Sequence, residues 1–118
     1  MRPVVRYFMS PDVDLDDFQP EDPECFSFLL QVIVGPRDSE GEESVMMTVC
    51  TPRGLEDRVR QSGGVLFGRS LLIVDTPDVQ VIKKAVTRAI ERIDCPTWRE
   101  IAYRLSRLGI HEFEDHLG

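Results

Sequence analysis

The chain has almost no histidine, few cysteines, no long apolar run and, between Ser10 and Phe26, no basic residue at all. Each shortage excludes something. The two histidines, His111 and His116, both lie in the last eight residues, which removes the commonest general base from the rest of the chain. The run His111-Glu112-Phe113-Glu114-Asp115-His116 resembles a zincin H-E-x-x-H. Its second histidine comes one residue late, however, about 500° round a helix instead of about 400°, so the two imidazoles would not share a face. Cys25, Cys50 and Cys95 are odd in number and widely spaced, without a C-x-x-C pair. They read as small buried hydrophobes in a reducing compartment rather than a disulfide framework. No serine or cysteine sits in a recognisable nucleophile setting, and Gly63-Gly64 with Gly68 lacks the G-K-[ST] ending of a phosphate-binding loop. No enzyme activity and no cofactor are expected.

The longest apolar run, Phe28–Val34, is interrupted by Gln31 and falls far short of the ~20 residues of a membrane helix. The first residues, Met-Arg-Pro-Val-Val-Arg-Tyr-Phe, lack the apolar stretch of a signal peptide, so a cytoplasmic location is expected. No repeat and no Gly/Ser linker divides the 118 residues, which are expected to form one domain, 1–118.

What the chain does have is acid. Asp12, Asp14, Asp16, Asp17, Glu21, Asp22 and Glu24 crowd the basic-free stretch, and Asp38, Glu40, Glu42 and Glu43 follow, offset only by Arg37. Residues 1–50 hold eleven acids and three bases, residues 51–118 ten acids and eleven bases, so the net charge of −7 originates in the first half. Such a field attracts cationic partners and repels nucleic acid and anionic membranes. The cations Lys83, Lys84, Arg88 and Arg92 accordingly read as a solvated helix face, not a nucleic-acid site. A calcium loop is the specific alternative, because Asp12-Val13-Asp14-Leu15-Asp16 begins like one. It fails at Asp17, where the sixth position needs glycine, and at Pro23, where the twelfth needs glutamate.

Periodicity supplies the architecture. Arg2–Met9 alternates as a strand that Ser10-Pro11 ends, and the acids between Pro11 and Glu24, with Pro20 and Pro23, form a loop. Phe26–Val34 is the clearest strand, with Phe26, Phe28, Leu30, Val32 and Val34 on one face. Gly35-Pro36 and a polar tract join it to Ser44–Cys50 as an antiparallel hairpin, Val45, Met47 and Val49 facing inward. Thr51-Pro52 opens a short helix over Arg53–Gln61. Val65–Phe67 and Ser70–Asp75 read as one interrupted strand or two short ones. A helix follows Thr76-Pro77-Asp78 with Val79, Ile82, Val86, Ala89 and Ile93 in register. A second starts at the capping box Thr97-Trp98-Arg99-Glu100 and ends at a C′ glycine, Gly109. The predicted fold is α+β: a mainly antiparallel sheet of four to five strands, two C-terminal helices on one face and a short helix between strands.

Several segments resemble the bacterial immunity protein 8 family. They are Ser10-Pro11-Asp12-Val13-Asp14, Pro20 through Gln31, Gly41-Glu42-Glu43-Ser44, Val49-Cys50-Thr51-Pro52 and Phe67-Gly68-Arg69 with Leu72-Ile73-Val74. Thr97-Trp98, Leu105 to Gly109 and Glu112 to Asp115 complete the set, so the resemblance spans nearly the whole chain. Gly54 departs from it, since an aromatic often follows Thr-Pro-x in the family. The resemblance implies a protein encoded beside a polymorphic bacterial toxin that protects its own cell by binding the toxin domain. It carries no catalytic residues. Charge then nominates the contact residues: Asp12, Asp14, Asp16, Asp17, Glu21, Asp22 and Glu24, joined by Glu40, Glu42 and Glu43, facing a basic site on a cognate toxin. No metal, nucleic acid or membrane is expected as partner; the alternative is a non-catalytic accessory domain whose acidic loop binds a divalent cation.

Overall fold

The alternation read over Phe26–Val34 becomes the central strand of the protein, in a computed structural model that describes residues 1–111. Strand β1 (Pro3–Met9) pairs antiparallel with β2 (Ser27–Pro36), and β2 with β3 (Glu43–Cys50). Helix α1 (Pro52–Gln61) leads to β4 (Leu71–Ile73), followed by α2 (Val79–Glu91), α3 (Trp98–Leu105) and β5 (Ile110–His111). The far edge of β3 is shared: β4 runs parallel to it opposite Thr48–Cys50, and β5 antiparallel opposite Val45 and Met46.

Side chains alternate across a strand, and residues opposite one another share a face. One face is buried completely. Phe28, Leu30, Val32 and Val34 of β2 and Val45, Met47 and Val49 of β3 meet Ile82, Val86 and Ile90 of α2 and Ile101 and Leu105 of α3. The α+β plan with two C-terminal helices on one face is therefore the fold. Within α2 the fourth core position is Ile90 rather than the predicted Ala89, which is only half-buried. Helix starts follow the sequence: Thr51, Asp78 and Thr97 each accept a hydrogen bond from a backbone N–H of the first turn. The edge of β1 is tied down as well, since Glu91 Oε2 accepts from Val5 N at 2.9 Å.

Two details differ from expectation. Only Leu71–Ile73 of the interrupted strand pairs, and it pairs in parallel, because α1 carries the chain back along β3 before it re-enters the sheet. Val65 and Phe67, read as strand residues, stand 72% and 90% exposed. Helix α3 ends at Leu105 with Ser106 as its C-cap, so Gly109 is not its C′ glycine; its N–H donates to Leu105 O and its φ is not positive. It is needed for proximity: a Cβ there would stand 2.6 Å from Met46 O.

The junction that positions everything else is Thr51. Its side chain is buried, and its Oγ1 accepts from Phe26 N at 3.0 Å and from Gly54 N at 3.1 Å, while its own N–H donates to Phe26 O at 3.1 Å. Gly54 is buried against the same strand, where any Cβ would collide with the Phe26 carbonyl. This explains why an aromatic is not usable at Gly54, one residue after the family-like Thr-Pro-x. Thr51→Val keeps the shape and leaves two N–H groups unpaired, so it should cost about 2–4 kcal/mol in urea unfolding, whereas Thr51→Ser should cost about 1 kcal/mol. Equal losses in the two variants would show that packing, not the hydroxyl, holds the junction.

Candidate protein-binding surface

The acidic loop between β1 and β2 is built as an amphipathic lid. Val13, Leu15 and Phe18 turn inward and pack on the core cluster, and the Phe18 ring lies 5.2 Å from Phe26 and 4.9 Å from Phe28, both edge-on. The intervening acids turn outward: Asp12, Asp14, Asp16, Asp17, Glu21, Asp22 and Glu24 are all exposed.

Several of these carboxylates also hold the loop in shape. Asp12 Oδ2 accepts from Leu29 N at 2.7 Å, continuing the edge of β2 beyond the end of β1. Asp14 Oδ1 accepts from Asp16 N at 2.9 Å and opens a single 3₁₀ turn, Leu15–Asp17. Asp17 takes the Gln19 side-chain amide, and Asp22 takes Glu24 N, both at 2.9 Å. Glu24 faces Arg53 at 3.5 Å, an exposed pair of little energetic weight. Asp16 and Glu21 form no ion pair among the described residues. Of the D-x-D-x-D carboxylates, Asp12 and Asp14 thus serve two different backbone donors instead of converging with Asp16. Among the described residues no three His, Cys, Asp or Glu side chains could hold a metal ion.

The second acidic cluster is elsewhere. It belongs to the connection from β2 to β3 at the opposite end of β2, so nine strand steps, or about 30 Å, separate Ser27 from Pro36. Arg6 shapes that connection by donating to Pro36 O at 2.8 Å and Ser39 O at 2.9 Å. Glu40 and Glu42 are exposed there and Glu43 is half-buried as β3 begins; Tyr7 Oη reaches Glu42 Oε2 at 3.5 Å. The ten nominated acids therefore form two patches, one at each end of β2.

The remaining reactive groups are quiet. The Cys25 thiol donates to Asp57 Oδ2 at 3.2 Å. That bond, followed by burial and the charges of Asp57 and Asp22, raises its pKa above the ordinary thiol value against the pull of Arg53. Burial raises Cys50 likewise, with Arg58 opposing. Both thiols stay protonated at neutral pH, the wrong state for a nucleophile. His111 ends β5, and the rest of the His111–His116 run lies outside the described residues. No helix among the described residues is long and apolar enough to cross a membrane.

If Phe18 is the anchor of the lid, Phe18→Ala should destabilise the domain by about 1–3 kcal/mol, less than a fully buried Phe because the ring is only half-buried. Hydrogen exchange should then accelerate most at Leu15–Gln19, while the strands keep their protection. Uniform acceleration throughout would assign Phe18 to the global core instead.

No curated protein and no solved structure matches the chain. A family model described as Immunity protein 8 matches residues 4–116, nearly all of the sequence. The chain, with its lidded α+β fold and acidic loops, belongs to the immunity protein 8 family.

Proposed function

We propose that this protein binds and neutralises a cognate bacterial toxin domain, with the acidic loop before β2 presented to a basic region of that toxin. Membership of an immunity family supports the class of function. The observation that supports the mechanism is the lid: seven exposed acids, no base between them, on a loop anchored by Val13, Leu15 and Phe18. Crowded carboxylates on a tethered loop repel one another, and a cationic partner relieves that repulsion on binding. A loop already ordered loses less entropy when it docks than a free tail would. Binding, not turnover, is the proposed activity.

The reaction of the partner enters only through its charge. Toxins that act on nucleic acids present basic substrate clefts, and carboxylates on a rigid loop offer such a cleft a substitute for phosphates. Electrostatic steering of this kind raises association to roughly 10⁸–10⁹ M⁻¹s⁻¹ at low salt and fades as salt rises.

The triple variant Asp16→Lys, Asp17→Lys, Glu21→Lys spares Asp12, Asp14, Asp22 and Glu24 and breaks one bond within the loop, that of Asp17 to the Gln19 side chain. Against the toxin domain encoded beside this protein, stopped-flow association should slow about tenfold or more at low salt and lose most of its salt dependence. An unchanged rate and slope would remove the acidic loop from the encounter.

A further inference from the structure

The face of the sheet turned away from α2 and α3 is only partly covered. Its residues follow from the register: Tyr7 opposite Ile33, Met9 opposite Gln31, Gln31 opposite Met46, and Leu29 opposite Thr48. Helix α1 covers the end near Cys50 and Ile73, with Arg58 Nη1 reaching Ser27 Oγ at 3.5 Å and Leu55 and Val59 lining a cleft with Ile73. Beyond α1 the described residues leave the face partly exposed, with Ile33 buried opposite Tyr7. Tyr7 stands 45% exposed and Met9 41%, and Leu29 and Met46 are half-buried beside them.

An antiparallel sheet with one solvated face ordinarily carries polar residues there. Here Tyr7, Met9, Leu29 and Met46 form a partly exposed apolar group on that face, with Gln31, Ser44 and Thr48 as its polar members. Tyrosine and methionine are enriched at the centres of protein interfaces, and methionine adapts its shape to what it meets. The borders are acidic. Leu29 is bonded through its N–H to Asp12, and Tyr7 contacts Glu42, so the strip runs from one acidic patch to the other.

The opposite layer has the opposite charge. Residues 79–107, which include α2 and α3, hold seven bases and three acids. A cationic partner is therefore repelled from the helix layer and drawn to the acid-bordered sheet face.

We propose that the partly exposed sheet face, centred on Tyr7, Met9, Leu29 and Met46, is the docking surface for the basic toxin domain. The two acidic patches steer the toxin to this face, and the apolar strip between them holds it. This rests on the toxin-binding reading above and adds the surface and its division of labour. A partner that fits has an apolar centre with lysines or arginines at two borders about 30 Å apart, the span of β2.

The test uses the full-length protein and the toxin domain encoded beside it, with Tyr7→Ala/Met9→Ala as one variant and Asp16→Lys/Asp17→Lys/Glu21→Lys as the other. Both sites are exposed, and thermal unfolding confirms that each variant folds. The Tyr7/Met9 variant should dissociate roughly tenfold faster or more with its association rate nearly unchanged, because truncating central apolar contacts acts on the bound state. The acidic variant should do the reverse. Unchanged dissociation in the Tyr7/Met9 variant, with slowed association in the acidic one, overturns the sheet-face proposal and leaves the toxin-binding reading standing. No binding by the unaltered protein sinks the toxin-binding reading, and the sheet-face proposal with it. If sedimentation shows a dimer of the unaltered protein that Tyr7→Ala/Met9→Ala abolishes, the face joins two copies of this chain and the proposal is likewise overturned.

Discussion

The buried hydroxyl of Thr51 holds together parts of the chain that would otherwise have no reason to meet. It stands where β3 ends and α1 begins, and it bonds the backbone at Phe26, where the acidic lid ends and β2 begins. Gly54 completes the contact by letting the first turn of α1 lie against the Phe26 carbonyl. A single junction therefore sets the direction of α1 over one face of the sheet and the position of the lid at the other. An unpaired N–H at that depth would cost more than the average hydrogen bond contributes, which is why this polar group is kept inside an otherwise apolar core.

The lid shows how the fold carries a concentrated charge that the exposed Glu24–Arg53 pair offsets only in part. Seven carboxylates in one loop favour expansion, and the opposing force comes from Phe18 on Phe26 and Phe28, with Val13 and Leu15 beside it. Asp12 and Asp14 are not passive in this: their carboxylates accept backbone N–H groups and so convert part of the repulsive charge into structure. The acids best placed for a partner are the ones the loop does not use, Asp16 and Glu21.

Much of the fold was legible because local signals and tertiary demands agree. The alternation of Phe28 to Val34, the Thr51-Pro52 start, the Thr97 cap and the helical period of Ile82 and Val86 all lead to the elements that form. Strand β4 was legible as an element within Ser70–Asp75, but its parallel pairing was not, because that depends on where α1 sets the chain down. The acidic residues could be named from composition, but their grouping could not. Asp12 and Glu42 look like members of one field in the sequence, and only the length of β2 divides them into two patches. The partly exposed sheet face gave still less sign of itself, since Tyr7, Met9 and Leu29 read as ordinary strand residues until the register places them side by side on that face.

Charge and apolar area do different work on such a surface, and the fold keeps them physically apart. A field acts at a distance of roughly a Debye length, so the acids work best on exposed loops at the two ends of β2, where solvent does not need to leave before attraction begins. Apolar contact acts only when water has gone, which suits a flat strip held stiff by the sheet beneath it. Mixing the two, with carboxylates among Tyr7, Met9 and Met46, would require burying each charge against an exact partner and would make a mispaired complex costly. Separation lets a relative exchange loop acids to alter the speed of encounter, or strand residues to alter the lifetime of the complex, with little effect of one on the other. In the proposed toxin complex, speed of encounter and lifetime become independent because charge sits on the loops and shape on the strands.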